Sequence, residues 1–430
     1  TLDNTPSPDH CQVFRIRDLT LRHTLWCATT KRGGAGPMDA GTIGDRLRRL
    51  RGDRGLTQEE LAEAAEVRRD LISMLERNKR TSARLSTISA LARALDVEIG
   101  ELVDRRDHLK ADRDGGSVLA VRDMLLDPNL LPGIKASDGG APTPLPQLKR
   151  TVGDAWRAYW SGKFGEVLAQ LPRLVGEARI THSSLGAPAV PALALAYDLA
   201  SSLMTQIGRN DLGAIAAERA ITTAHGGDDR LLWAILHASY SWTLFHQGRY
   251  QQAERLARVM ADQVEPKSFR AGDLEIGVWG KLLLTAVAPS AALERDPAEY
   301  LDLARAGAGR LNREVQVYHH SSFAPALVDM QATYAYSTLR KPTPALKAAR
   351  HIEPGDLKGI TWGAHLMDVA KAHLDAGHRK TAVRALLEAR DVSPVWWRHQ
   401  RVAKQAVAEI REQESRLSPE VKSLARSLDL

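Results

Sequence analysis

The chain has 430 residues, which is enough for two or three domains that each bury a core. Its net charge of +7 permits a nucleic-acid partner without requiring one. The two cysteines, Cys11 and Cys27, argue against a disulfide framework and indicate a reducing, cytoplasmic environment. No apolar run approaches the roughly 20 residues of a membrane span, and the N-terminus lacks an apolar signal core, so we expect neither membrane insertion nor export.

Residues 1–37 contain Pro6, Pro8 and a Gly-rich basic run that ends at Pro37. The helical pattern begins only after Met38. We therefore expect residues 1–37 to be a disordered extension. The functional alternative is a basic arm that wraps DNA.

A helix-turn-helix pattern occupies Leu56–Arg80, which reads LTQEELAEAAEVRRDLISMLERNKR. Thr57 is a suitable N-cap, and Glu60 three residues later completes a capping box. The apolar residues recur at helical spacing through this stretch and its flanks. They are Ile43, Leu47 and Leu50, then Leu61 and Ala65, then Leu71, Ile72 and Leu75, then Leu85, Ile88, Leu91, Ala92 and Leu95, and finally Ile99 and Leu102. Five short helices around one small core predict a DNA-binding domain, which we assign to residues 38–106.

The second helix of this pattern is basic. Between Arg68 and Arg84 six basic residues oppose two acidic ones, a net charge of +4. Such charge favours contact with phosphates, and Arg69 is suited to a two-pronged contact with guanine. We expect Glu76 to pair with an arginine inside the domain. The alternative is an ordinary solvated helix face.

The run from TQEELAEAAEV through LISMLERNKR to ELV resembles the XRE (lambda-repressor/Cro-like) helix-turn-helix family over Gly44–Val103. The resemblance implies sequence-specific binding to double-stranded operator DNA, usually as a homodimer. It implies a phosphate contact for Gln58. By position, the residues implied to face base edges are Arg68, Arg69, Asp70, Ser73 and Met74, and those implied to meet the DNA backbone are Asn78, Lys79 and Arg80.

Two residues depart from the family pattern. Glu66 stands in the turn where the family has glycine, so a non-glycine residue must adopt an unfavourable backbone conformation. Arg68 opens the recognition helix in place of a small hydroxyl residue, which leaves the base preference open.

Residues 107–146 are predicted to be a linker. Its one helix, Val118–Leu126, could pack against the DNA-binding domain, a dimer mate or the following domain. The Pro- and Gly-rich stretch Asp127–Pro146 then marks a domain boundary.

Residues 147–430 have no strand pattern and read as helices separated by short turns, so the predicted fold class is all-α. Similar helix–turn–helix units contain turn glycines at Gly162, Gly208, Gly248 and Gly377. A further unit lies at Leu339–Arg350, and a weak one without a clear glycine lies at Asp273–Leu311. These units resemble degenerate tetratricopeptide repeats, which implies an α-solenoid that buries a continuous core.

The register of the repeat units predicts which residues line the concave groove. Gly248, Tyr250 and Ala253 fix the phase of the clearest unit, and the other units follow from their own turns. The residues so assigned to effector binding are Trp156, Trp160, Asp198, Ser202, Trp242, His246, Lys281, Tyr334 and Lys371. An aromatic groove with a few charges suits a peptide or a small amphiphilic ligand. The alternative is that most of these aromatic residues are solenoid core.

Motifs of catalysis are weak in this chain. No P-loop, HExxH, GxSxG or strand-associated GxGxxG is present, so we expect no enzyme and no cofactor. The histidines at positions 319, 320, 365, 373 and 378 invite a metal reading, but helical histidines without carboxylate spacing are more typical of surface or core.

The combination of an XRE-type head and a tetratricopeptide-like solenoid resembles the peptide-responsive regulators of Gram-positive bacteria and regulators of this architecture in actinobacteria. It implies a cytoplasmic, homodimeric transcriptional regulator whose solenoid senses a peptide or small-molecule effector. The alternative is a DNA-tethered scaffold whose solenoid recruits a protein partner.

Overall fold

The fold was analysed in a computed structural model, which describes residues 42–80, 83–97, 102, 118–130, 140–268, 270–319, 321–413, 417–428 and 430. The predicted extension 1–37 lies outside these residues, as does half of the predicted linker 107–146.

The head begins with four helices, α1 (Ile43–Asp53), α2 (Gln58–Ala64), α3 (Arg69–Glu76) and α4 (Leu85–Ala94). The apolar residues predicted from spacing form its core, with Leu47, Leu61 and Ile72 fully buried. The capping box of Thr57 and Glu60 is confirmed. Most of the predicted fifth helix lies outside the described residues. Its Leu102, however, is buried in the head core, and the Leu102 carbonyl accepts a hydrogen bond from Arg46 Nε at 2.9 Å.

The linker helix α5 (Val118–Leu125) packs on the repeat domain, which is one of the three arrangements open from the sequence. Its Val121 and Leu125 are buried in the main core. Two arginines of the repeat domain hold the end of the helix. Arg219 Nη2 donates to the Leu125 carbonyl at 2.6 Å, and Arg179 pairs with Asp127 at 3.0 Å.

Helical hairpins make up the rest of the chain, as predicted. The helices are α6 (Leu145–Trp160), α7 (Phe164–Leu185), α8 (Val190–Gln206), α9 (Asn210–His225), α10 (Arg230–His246), α11 (Tyr250–Gln263), α12 (Asp273–Ala292), α13 (Ala298–Leu311), α14 (Pro325–Thr338), α15 (Pro342–Ala349), α16 (Ile360–Asp375), α17 (Arg379–Val392), α18 (Pro394–Arg398), α19 (Arg401–Gln413) and α20 (Pro419–Ser427). Consecutive helices pack against each other and share a continuous core, which is the way solenoid repeats are stabilised.

The turns inside the hairpins need a left-handed backbone conformation. The four predicted turn glycines all have a positive φ, between 74° and 87°. In the two units without a turn glycine, Arg340 (φ 55°) and Glu294 (φ 60°) adopt the same conformation. The weak unit at Asp273–Leu311 is therefore a genuine helical hairpin, α12 and α13.

A short antiparallel hairpin corrects the prediction that residues 147–430 lack strands. Strand β1 (Val315–Val317) pairs with β2 (Ser321–Phe323), with Val315 opposite Phe323. The hairpin packs closely on α12, since a Cβ at Gly280 would lie 2.2 Å from Phe323 Cζ. Each strand spans only three residues, too few for an alternating pattern to stand out.

The segment Ala187–Gln206, which includes α8, is long and apolar enough to cross a membrane by length and composition. However, 83% of its apolar window is buried inside the protein. The apolar character of this segment is therefore that of a core helix.

Candidate DNA interface and effector cavity

The recognition helix α3 presents a polar face and buries an apolar one. Ile72 and Leu75 are fully buried, whereas Arg68, Arg69 and Asp70 are exposed. Met74 is 39% exposed, and Ser73 is half-buried on the same outer side. The residues predicted to face bases therefore lie together at the N-terminal end and outer face of one helix. Arg69 pairs with Glu59 of α2 while both side chains remain exposed to solvent.

Glu76 anchors the end of the recognition helix. Its carboxylate accepts two hydrogen bonds from the Arg51 guanidinium, at 2.7 and 2.9 Å, and one from Gln58 Nε2 at 2.7 Å. Burial raises the pKa of Glu76, but the hydrogen bonds from Arg51 and Gln58 outweigh burial, and the pKa lies below its ordinary value. The predicted pairing of Glu76 with an arginine inside the domain is confirmed.

The turn that aims the recognition helix carries the predicted backbone strain. Glu66 has a φ of 53°, the left-handed conformation that glycine adopts more easily. The Val67 amide donates to the Ala62 carbonyl at 2.9 Å, which closes the end of α2. This confirms the expectation drawn from Glu66 in place of glycine.

Gln58 and Asn78 are engaged within the head. Because Gln58 donates to Glu76, its side chain holds α3 and does not point freely to solvent, which differs from its predicted role at a phosphate. Asn78 has a φ of 54°, and its amide donates to Asp45 at 3.2 Å while its side chain remains exposed. Lys79 and Arg80 are exposed beyond the end of α3. A DNA contact for each of these four residues stays a prediction.

The concave side of the repeat domain encloses a large cavity of about 1110 Å³. This exceeds the range of about 300–1,000 Å³ that is common for small-molecule sites. Helices α10, α12, α14, α16 and α19 each present residues at i, i+3 and i+4 spacing to it, and α8 adds Ser202 and Gln206. The predicted effector residues that line this cavity are Trp160, Ser202, Trp242, His246, Lys281, Tyr334 and Lys371.

Trp156 and Asp198 do not line the cavity, which corrects their assignment to effector binding. Trp156 is 1% exposed, and its indole Nε1 donates to the Leu195 carbonyl at 3.1 Å. Asp198 is fully buried in α8. Trp156 on α6 is held in the core by its hydrogen bond to α8, and almost every residue of α8, including Asp198, is buried, so the register of the repeat units does not predict exposure at these two positions.

Ionisable groups in the cavity wall are shifted by burial. Burial lowers the pKa of Lys281 to about 8. Burial also raises the pKa of Asp368, while the Lys371 ammonium beside it opposes that shift. Sequence reasoning missed Asp368 and Arg401, which also line the cavity. Asp368 lies three residues before Lys371 on α16, so helical spacing would have found it. Arg401 belongs to a terminal helix outside the recognised repeats.

The head contributes to the cavity wall. Residues 83–86, which lead into and begin α4, line it. The Ser89 hydroxyl of α4 donates to the Gly248 carbonyl at 3.2 Å and is buried by that contact. Arg84 pairs with Glu294 at 3.0 Å, and Leu85 packs on the apolar cluster that contains Phe245 and Tyr250. The head and the repeat domain therefore both contribute residues to the cavity wall.

The histidines form no metal site in the part of the chain that the structure describes, where no group of three or more His, Cys, Asp or Glu side chains could hold an ion. His365 is 2% exposed, and burial lowers its pKa to about 4. His365 is therefore a neutral core residue.

Comparison with known proteins agrees with the geometry of the head. Residues 47–102 match a family model described as Helix-turn-helix. Over 72 residues the chain is 35% identical to the immunity repressor protein of Bacillus phage phi105, covering 17% of this chain and 49% of the repressor. Over 70 residues it is 31% identical to the HTH-type transcriptional regulator SinR of Bacillus licheniformis, covering 16% of this chain and 63% of SinR. The chain thus spans about half of the length of the first relative and less than two thirds of the second.

Two solved structures are similar to a larger part of the chain. BtubC (BKLC) from P. vanneervenii is 13% identical, with 63% of this chain and 94% of that chain covered and a TM-score of 0.36. PlcR from Bacillus thuringiensis, solved with the peptide PapR7 and DNA, is 12% identical, with 63% and 96% covered and a TM-score of 0.27. Likenesses at these TM-scores carry no argument about this chain. Over residues 47–102 the sequence is therefore similar to a helix-turn-helix domain of the XRE type, and the geometry of the head agrees with that similarity.

Proposed function

We propose that this protein is a transcriptional regulator that binds operator DNA as a homodimer and is controlled by a peptide or small-molecule effector bound in the cavity. One observation carries the proposal: residues 83–86 of the head form part of the cavity wall. An effector in the cavity therefore contacts, or displaces, the segment that follows the recognition helix.

DNA recognition in this proposal begins at the N-terminal end of α3. Arg69 reads a base edge in the major groove, with Arg68, Asp70, Ser73 and Met74 around it. Lys79 and Arg80 neutralise phosphates beyond the helix. In a dimer the two recognition helices engage half-sites about one helical turn apart. A transcriptional regulator binds chromosomal DNA, which supports a cytoplasmic location.

Effector control depends on the packing of the head against the repeat domain. Arg84 and Ser86 both contact Glu294, which is held in a left-handed conformation at the end of α12. The neighbouring α12 residues Thr285, Ala288 and Ala292 line the cavity. A ligand that moves this end of α12 changes the way in which α4 packs on the repeat domain. The effector acts only to the extent that it binds the DNA-competent and incompetent arrangements with different affinity.

The first experiment tests DNA binding. Genomic DNA fragments bound by the full chain are selected and sequenced, and affinity for a recovered duplex is measured by fluorescence anisotropy. Arg69→Ala is expected to weaken binding about 5- to 100-fold, the effect of losing one two-pronged base contact. The control Arg150→Ala removes an exposed arginine on α6 and should leave affinity unchanged. Equal affinity of the native chain for selected and random duplexes would overturn the proposal.

The second experiment tests whether the contact between the head and Glu294 affects DNA binding. Glu294→Lys places a cation against Arg84 and is expected to change affinity for the selected duplex about 5-fold or more, the lower end of typical coupling between sites. Glu265→Lys makes the same charge change at an exposed position away from α4. If both variants bind the duplex like the native chain, the contact between the head and Glu294 does not govern DNA binding.

A further inference from the structure

Two cations of the cavity wall lack an anionic partner. Lys281 of α12 and Arg401 of α19 both line the cavity. Among the described residues, neither forms an ion pair or a hydrogen bond through its side chain. The ionisable groups that act on Arg401 are the hydroxyls of Tyr250 and Tyr334, and burial raises the pKa of both tyrosines. Burying a cation without an anionic partner costs desolvation free energy. An anionic group of a ligand would offset that cost at either position.

The acidic groups of the inner wall are already engaged by another cation. Lys371 faces Asp368 on the same helix and also lies near Glu409. Asp368 is 6% exposed, so this pair is enclosed by the protein. The other carboxylates of the wall are Glu294, Asp296, Glu314 and Asp356, and among the described residues none of them pairs with Lys281 or Arg401. Inside the cavity, positive charge therefore remains uncompensated at Lys281 and Arg401.

An apolar surface lies beside the two cations in the same cavity. Trp242 and Phe245 of α10 stack with ring centroids 5.6 Å apart, and both line the cavity. Leu284 and Ala288 lie one and two turns from Lys281 on the same face of α12. The hydroxyl of Tyr334 adds a neutral donor. A ligand that satisfies this wall has an apolar or aromatic body and an anionic group.

We infer that the effector of this cavity is an anionic amphiphile whose carboxylate is bound by Lys281 and whose apolar part packs on the wall that contains Leu284, Ala288, Trp242 and Phe245. The inference rests on the proposed function, because it specifies the ligand of the same cavity. A peptide with a free C-terminus and a fatty or aromatic acid share this chemistry. The burial-lowered pKa of Lys281 agrees with a cation that lacks a partner until the anion binds.

The test uses two fluorescent probes that differ mainly in charge, anilinonaphthalene sulfonate and the neutral N-phenylnaphthylamine. The native full chain is expected to bind the sulfonate at least about 10-fold more tightly than the neutral probe, the value of one charge-assisted hydrogen bond. Lys281→Met should weaken sulfonate binding by about 10-fold or more while leaving binding of the neutral probe unchanged. Lys149→Met removes an exposed lysine outside the cavity and should alter neither probe.

Competition then separates the two sources of the anion. Decanoate is compared with decanol, and a leucine-rich pentapeptide with a free C-terminus is compared with its amide, as competitors of the sulfonate. The acid of at least one pair should displace the probe better than its neutral partner, and the better pair identifies the source. Equal binding of the two probes by the native chain, or equal loss of both probes in Lys281→Met, overturns the inference.

This outcome is independent of the proposed function, because no DNA is present. Charge-selective binding that leaves DNA affinity unaltered would sustain the anionic ligand and refute control of DNA binding. Native-like circular dichroism of each variant establishes that a loss of binding is not a loss of fold.

Discussion

Replacing Glu76 with glutamine tests whether one buried carboxylate holds the recognition helix in place. Glu76 is 2% exposed and ties three helices together, because Arg51 belongs to α1, Gln58 to α2 and Glu76 itself to α3. In Glu76→Gln the Arg51 guanidinium remains partly buried and loses its charged partner. Removing one member of a buried ion pair costs about 3–5 kcal/mol, and we expect about 3 kcal/mol because the amide oxygen still accepts one hydrogen bond.

Hydrogen exchange of the full chain, read by mass spectrometry at neutral pH, measures this loss locally. Amides of α1 to α3 should exchange about 100-fold faster in Glu76→Gln, while those of the repeat domain should be unaffected. Glu59→Gln is the matched control, since Glu59 and Arg69 pair at positions 63% and 57% exposed and such surface pairs contribute about 0–1 kcal/mol. Equal protection of the head in both variants would refute the anchoring role.

The same residue predicts a dependence on pH. The folded-state pKa of Glu76 lies below its ordinary value of 4.5. The stabilisation is therefore complete above about 4.5 and is lost as pH falls through the lower, folded-state pKa. Protection of the head in the native chain should fall over that range more steeply than in Glu76→Gln. Parallel pH profiles would contradict the assignment.

Three further predictions concern backbone strain, the cavity and packing. Glu66→Gly should raise the thermal stability of the head by about 1 kcal/mol, because φ is 53° there, and unchanged stability would mean that the turn is unstrained. Sulfonate affinity of the native chain should fall as pH rises through about 8, where Lys281 loses its proton, and should stay flat in Lys281→Met. Gly280→Ala should cost about 1–3 kcal/mol because its Cβ would lie 2.2 Å from Phe323 Cζ. Gly176→Ala, with nothing within 4 Å, should instead stabilise α7 by about 0.5–1 kcal/mol in thermal unfolding, and equal effects of the two would contradict the packing.

Local signals made much of the fold predictable. Capping at Thr57, the left-handed turns at the repeat glycines and the strained Glu66 each follow from the conformational preference of one or two residues. The pairing of Glu76 followed from its place on an inward face near basic residues. These features depend on neighbours in sequence, and spacing alone exposes them.

Features that depend on distant residues were not predictable. The three-residue strands are fixed by packing of Phe323 on Gly280, more than 40 residues away. The core position of Trp156 depends on the Leu195 carbonyl of another helix. The packing of the head on the repeat domain includes a hydrogen bond from the Ser89 hydroxyl to the Gly248 carbonyl, 159 residues further along the chain. The spacing of apolar residues within one segment carries no information about contacts with residues so distant in sequence.

Occupation of the cavity is proposed to control the affinity of the head for DNA. The most direct test is the dissociation constant of the full chain for its selected duplex, measured by anisotropy without and with a saturating amount of the acid that displaces the sulfonate. We predict a change of about 5-fold or more in the native chain and none in Lys281→Met. The same dissociation constant with and without that acid, in a native chain whose cavity is filled, would contradict the account.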